Sequence, residues 1–167
     1  MKRLFFNLFS LAIISLFGFQ NLQAQHIDPT IQASFYSKFI PLINDGAFKK
    51  IALVAEQKDG SIVKTLEEQL TKYYFDVRII SESELASVSE KEIVILLEDL
   101  TFQEFADLNE KAAYVISTFK THVDANRATF CLVKNDTKLA LFANSKSIKS
   151  KDLSVSNKLY SVMKFVD

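Results

Sequence analysis

The chain has little of what usually marks a catalytic or a disulfide-stapled protein. Cys131 is its only cysteine, so no disulfide can form within the chain and the core alone must hold the fold together. There is no tryptophan, and there are only two prolines and three glycines. Glycine-rich phosphate loops, Cys-x-x-Cys pairs and His-Glu-x-x-His motifs are all missing from the sequence. The sequence therefore carries no recognisable signature of catalysis, and we expect no catalytic residues, no metal ligands and no cofactor.

The chain also lacks an excess of either positive or negative charge. The chain has 20 basic and 20 acidic residues, and without its first 24 residues 18 basic residues face 20 acidic ones. Domains that bind nucleic acids usually carry a basic excess. We therefore expect no nucleic-acid partner.

The first 24 residues have the pattern of a secretory signal peptide. Lys2 and Arg3 precede an apolar run from Leu4 to Phe17, and small and polar residues lead to Ala24. The run is shorter than the ~20 residues needed to span a bilayer, although an uncleaved anchor is the alternative. We expect cleavage between Ala24 and Gln25, export to the periplasm, and a single domain over residues 25–167 that does not span the membrane.

Helical and strand patterns alternate along the rest of the chain. Asp28-Pro29 is typical of a capped helix start, and an aromatic face follows it. The continuous apolar run Ile51–Ala55 predicts a strand that is covered on both faces, and the apolar run Ile93–Leu97 predicts the strongest strand, at the centre of the sheet. The predicted strands are Ile51–Ala55, Phe75–Ile80, Ile93–Leu97, Ala113–Ile116, Thr129–Val133 and Leu139–Phe142.

The connections between these strands also carry signals. Ile62, Leu66, Leu70 and Tyr73 have helical spacing. Ser81 or Ser83 can cap a turn at Glu84–Val88, and Thr101 can cap another helix. Asn135-Asp136 predicts a hairpin between the last two strands. Apolar residues at helical spacing predict a final helix, which would be lined by Val155, Leu159, Val162, Met163 and Val166. Residues 119–127 show no clear period.

Together these elements predict an α/β three-layer sandwich. Its sheet would be mixed and mostly parallel, with five to six strands. An aromatic helix would begin the domain, and a hairpin followed by a helix would end it.

Few side chains are candidates for chemistry. Glu98 and Asp99 follow the strongest strand, and the carboxyl ends of strands are where α/β folds place ligands; helix capping and solvation explain these residues equally well. His122 is expected in a solvated surface loop, with a metal or base role beside Asp124 as the alternative. Cys131 is expected to be a buried structural thiol rather than a reactive or intermolecularly paired one.

Three lysines cluster before the predicted last helix, at positions 146, 149 and 151. A solvated face is the simplest interpretation. A docking site for an acidic partner is the alternative.

Three segments in order resemble the YfiR-like family of periplasmic regulatory proteins. Residues 32–40 are similar to the aromatic first helix of the family. Val77–Ile80, Glu84-Leu85 and Ile93–Leu96 resemble its strand, short helix and strand. The C-terminal block, with its hairpin strand at 128–133, Asn144 and Leu153–Leu159, is the closest match. The cysteine pairs of the family cannot form with Cys131 alone, and Pro41-Leu42 stands where the family has a tryptophan.

The resemblance implies a non-enzymatic regulator rather than an enzyme. The relatives bind the periplasmic part of a membrane-bound diguanylate cyclase and repress it, so the expected partner is a membrane-bound sensor or signalling protein in cyclic diguanylate signalling. A periplasmic small-ligand-binding protein with a cleft near Glu98 and Asp99 is the alternative. An enzyme would require Asp99, His122 or Cys131 to converge in space, and a homodimer is left open.

Overall fold

The computed structural model describes residues 27–99, 105–135 and 138–167, without the side chains of residues 105–107. The predicted signal peptide, its cleavage position and the Thr101 cap lie outside these ranges. The first described helix, α1 (Pro29–Phe39), begins as its sequence predicts, because the Asp28 carboxylate accepts hydrogen bonds from the backbone N–H groups of Thr30 and Ile31. Two short 3₁₀ turns, Ile40–Leu42 and Asn44–Gly46, complete this part of the chain.

Strands and helices then alternate, as expected for an α/β protein. The elements are β1 (Lys50–Val54), α2 (Ser61–Lys72), β2 (Asp76–Ile80), a 3₁₀ helix (Glu82–Ser87), β3 (Glu92–Leu96), α3 (Phe105–Lys111), β4 (Tyr114–Ser117), α4 (Lys120–Asp124), β5 (Phe130–Asn135), β6 (Lys138–Asn144), α5 (Ser145–Ser150), α6 (Asn157–Tyr160) and β7 (Lys164–Val166).

These strands form one mixed sheet in the order β2-β1-β3-β4-β5-β6-β7. All neighbouring pairs are parallel except the β5–β6 hairpin, whose antiparallel register runs from Phe130↔Ala143 to Asn135↔Lys138. The α/β class, the mostly parallel sheet and the hairpin are confirmed. The sheet has seven strands within the described residues rather than the five or six predicted.

The apolar strands are covered on both faces. Successive side chains of a strand point to opposite faces, and in β1 Ile51 and Leu53 join one core cluster while Ala52 and Val54 join another. The first cluster packs under α1, α2 and the C-terminal segment, and the second packs under the 3₁₀ helix, α3 and α4. The molecule is therefore a three-layer sandwich, and this double coverage explains why the central strands β1 and β3 consist largely of continuous apolar residues.

The predicted turn after β2 is confirmed as a 3₁₀ helix with a capping box. Ser81 and Glu84 bond each other's backbone N–H groups across the first turn. Glu84 also pairs with Lys58. These hydrogen bonds, the one from Lys58 above all, lower the pKa of Glu84 to about 2.

The end of the chain is the main error of the sequence prediction. Instead of one long helix, the chain makes the four-residue helix α6 and then turns into β7, which pairs in parallel with β6 from Phe142↔Lys164 to Asn144↔Val166. Leu159 and Met163 are buried, but Val162 is exposed. The helical spacing is misleading because β7 pairs with the edge of β6. A helix in place of β7 would leave the backbone N–H and C=O groups of that edge unpaired.

Candidate functional site

A hydrogen-bonded chain of three polar side chains lies where two parallel strands end. Asp99 comes three residues after β3, Ser117 is the last residue of β4, and His122 lies on α4. The Nδ1 atom of His122 is 2.8 Å from the Ser117 hydroxyl, and its Nε2 atom is 2.9 Å from a carboxylate oxygen of Asp99. The sheet therefore brings Asp99 to His122, which lies 23 residues later in the sequence.

His122 is buried, so its predicted position in a solvated loop is wrong. The region that showed no period contains the single helical turn α4. This turn presents His122 and Val123 to the sheet and leaves Lys120 and Asp124 on the outside, where they pair with each other. Only 2% of the His122 side chain is exposed, against 58% for Asp99.

The carboxylate of Asp99 sets the tautomer of the neutral imidazole. This carboxylate only accepts, so Nε2 carries the imidazole proton and donates it to Asp99, and Nδ1 accepts from the Ser117 hydroxyl. The oxygen of the same hydroxyl accepts a hydrogen bond from the backbone N–H of Phe119 at 3.0 Å. Burial lowers the pKa of His122, and the nearby charge of Arg127 lowers it further, although the hydrogen bond and charge of Asp99 oppose this.

Ser117, His122 and Asp99 are the residue types of a serine-hydrolase triad, but their arrangement is unsuited to attack on a substrate. In such a triad the serine is the exposed nucleophile and the acid is buried, whereas here Ser117 is fully buried and Asp99 faces solvent. The hydroxyl of Ser117 serves to hold His122 against the end of β4.

Cys131 lies beside this chain of polar residues but not within it. It pairs in register with Ser117 across β4 and β5 and is fully buried. Burial, with a smaller contribution from Asp124, raises its pKa to about 12. The prediction of a buried thiol is confirmed, and such a thiol is a poor nucleophile because the reactive species is the thiolate.

The second acidic candidate, Glu98, lies between the carboxyl ends of β1 and β3, where the strand order reverses. The chain runs from β1 to β2 at one side and returns to β3 on the other, and α/β folds bind ligands between such carboxyl ends. Both carboxylate oxygens of Glu98 accept a hydrogen bond from the backbone N–H of Glu56 after β1, at 3.2 and 3.3 Å. Glu98 and Asp99 therefore each have a partner inside the protein.

Two of the three clustered lysines lie on a solvated face, as the simplest interpretation predicts, and the third does not. Lys146 and Lys149 lie in α5 and are exposed, but the Nζ of Lys151 donates to the carbonyl oxygen of Ala112 at 2.8 Å. Burial of Lys151 lowers its pKa, although Glu110 opposes this. Lys151 ties the segment after α5 to the end of α3.

An exposed apolar surface is the feature that sequence reasoning missed. We call the residues Lys158, Tyr160, Val162, Lys164 and Phe165 the C-terminal surface. Its apolar side chains are 56% exposed at Tyr160, 66% at Val162 and 37% at Phe165. The rings of Tyr160 and Phe165 lie 4.5 Å apart. No alternation of apolar and polar residues signals this surface, because positions 162–167 read Val-Met-Lys-Phe-Val-Asp.

Within the described ranges, no three His, Cys, Asp or Glu side chains are placed to hold a metal ion together. The same ranges contain no helix with the length and apolar character needed to cross a membrane. Comparison of the chain with models of protein families and with curated proteins gives no match.

Proposed function

We propose that this protein is an exported, non-enzymatic regulatory protein that binds a membrane-bound signalling protein, as the YfiR-like repressors of diguanylate cyclases do. The observation that carries the proposal is the C-terminal surface, which exposes two aromatic rings in contact with each other and a valine that lies between them in the sequence. Large apolar side chains that are grouped on a surface typically mark an interaction site.

The buried polar residues support a binding role over a catalytic one. The hydroxyl of Ser117 and the thiol of Cys131 are both fully buried, so a substrate could reach neither without opening the fold. The resemblance of residues 31–167 to periplasmic regulators, together with the signal-peptide pattern of residues 1–24, supports the periplasm as the place of action.

Photocrosslinking in cells tests this function. The full chain would carry p-benzoyl-phenylalanine in place of Tyr160, and a matched control would carry it in place of Tyr74, an exposed tyrosine next to the opposite sheet edge. We expect position 160 to capture a membrane protein with a cytoplasmic signalling domain and position 74 not to capture it. Mass spectrometry of the recovered bait would also show whether its N-terminus is Gln25.

Two outcomes would contradict the proposal. Folded bait that gives no specific crosslink at position 160 would speak against a protein partner, and a screen of melting temperature with small metabolites would then test the small-ligand alternative near Glu98 and Asp99. Recovery of bait that retains residues 1–24 in the cytoplasm would refute export.

A further inference from the structure

The sheet ends in an uncovered strand. β7 is the last strand in the sheet order within the described ranges, and it pairs with β6 on one side only. The backbone N–H and C=O groups on the outer side of such a strand can pair with an added strand. Peptides bind many proteins in this way, and the side chains of alternate residues then provide specificity.

The two faces of β7 differ in chemistry. Phe165 lies on one face, where its ring contacts that of Tyr160. Its neighbour Lys164 points to the opposite face, where its ammonium lies 5.6 Å from the centre of the Phe142 ring. An added strand would therefore meet an aromatic surface on one face and a positive charge on the other.

Charge is distributed unevenly along the chain. Residues 145–167 contain five lysines and two aspartates, whereas residues 27–144 contain 13 basic and 18 acidic residues. In the described part of the protein, Lys158 and Lys164 form no salt bridge with a carboxylate. An acidic partner would be attracted to this end of the molecule and repelled by the rest of it.

From these observations we infer that β7 accepts an added strand from a partner protein in which acidic and apolar residues alternate. Its acidic side chains would face Lys164 and its apolar side chains would face Phe165 and Tyr160, since cross-strand neighbours interact directly. This inference rests on the proposed function and specifies the partner's chemistry.

Other occupants fit the surface less well. A second copy of the chain would bring lysine-rich segments together and suffer repulsion between like charges. An anionic lipid surface would suit the lysines and the aromatic rings, but it would leave the backbone groups of β7 unpaired. An acidic polypeptide strand satisfies the charges, the apolar side chains and the backbone together.

Charge reversal within the crosslinking experiment tests this inference. The full chain with the crosslinker at position 160 would carry Lys158→Glu and Lys164→Glu, and the control would carry Lys72→Glu and Lys91→Glu, which change the charge equally at exposed positions elsewhere. We expect the first pair to reduce crosslinking about tenfold and the control pair to change it less than about twofold. The captured peptide should alternate acidic and apolar residues.

The captured peptide, once synthesised, gives an independent readout. Its binding to the unmodified full chain should slow hydrogen exchange of the β7 amides and weaken as salt concentration rises. Capture of a neutral or basic segment, of lipid or of a second copy would overturn the inference. So would crosslinking that is unchanged by Lys158→Glu and Lys164→Glu, and in that case the proposed regulatory function would still stand. Absence of specific crosslinking at position 160 in the protein that keeps its native lysines would instead refute that function.

Discussion

The hydrogen bonds of the buried His122 imidazole suit its neutral form. A protonated ring would donate from Nδ1, and the Ser117 hydroxyl, which already accepts from the Phe119 N–H, would have to accept this second hydrogen bond and turn its own proton elsewhere. In return, Asp99 would gain a charged partner at Nε2. Burial, together with the charge of Arg127, lowers the pKa of His122 by more than the hydrogen bond and charge of Asp99 raise it.

We expect acid to destabilise the protein through His122. Because the pKa is lowered on folding, the unfolded chain binds more protons between the folded pKa and about 6.5, and the free energy of unfolding falls as the pH falls through that window. The stabilisation is fully present above this window. Urea unfolding at several pH values would measure the slope.

His122→Gln should flatten this pH dependence. His26→Gln, which removes the only other histidine, should leave it unchanged. An equal slope in His122→Gln and in the unmodified protein would show that other groups cause it.

At the scale of elements, side-chain contacts tie neighbouring strands and turns together. Arg78 on β2 reaches across β1 to Glu92 at the start of β3, with N···O distances of 2.7 and 3.0 Å, and it also bonds Ser87 at the end of the 3₁₀ helix. Burial alone would raise the pKa of Glu92, but the hydrogen bonds from Arg78 and Ser89 and the charge of Arg78 together lower it.

Glu92→Gln should lower the free energy of unfolding by about 1–3 kcal/mol near neutral pH, because the partly exposed guanidinium of Arg78 loses its largely buried carboxylate partner. A carboxylate with a lowered pKa stabilises the fold above its unfolded pKa and ceases to do so as the pH falls through its folded pKa. The free energies of unfolding of the variant and of the unmodified protein should therefore converge as the pH becomes acidic. Glu90→Gln, at an exposed neighbouring position, should change stability by less than about 0.5 kcal/mol, and a comparable loss there would contradict this account.

Asn144 has a similar connecting role at the end of β6. Its amide nitrogen donates to the Val123 carbonyl oxygen of α4, and its amide oxygen accepts from the Ser147 N–H and so caps α5. Asn144→Ala should cost about 2–4 kcal/mol, because it removes a cap and leaves buried backbone groups unpaired. Thermal and urea unfolding would measure this loss. Asn157→Ala, at an exposed position in α6, should cost much less, and equal losses would show that the Asn144 contacts contribute little.

At the scale of the whole molecule, Cys131 reports on global opening. It is fully buried in β5, between the hairpin partner β6 and the parallel neighbour β4, and burial raises its pKa to about 12. Labelling with a thiol reagent should therefore be very slow in the native state and should rise with denaturant along the same curve as unfolding. Rapid labelling in native buffer would show that the β4–β5 contact opens locally.

The sequence by itself determined the α/β class, the covered strands and the hairpin, because continuous apolar runs, Asp28-Pro29 and polar turn residues are local signals with direct physical causes. It also predicted the burial of Cys131, which lies within such a run. Only the tertiary structure decided that Asp99, Ser117 and His122 share one site, because parallel strands bring their ends together across long stretches of chain. The tertiary structure also decided that residues 164–166 form a strand. These residues pair with the open edge of β6, and the helical spacing in the sequence gives no sign of that edge.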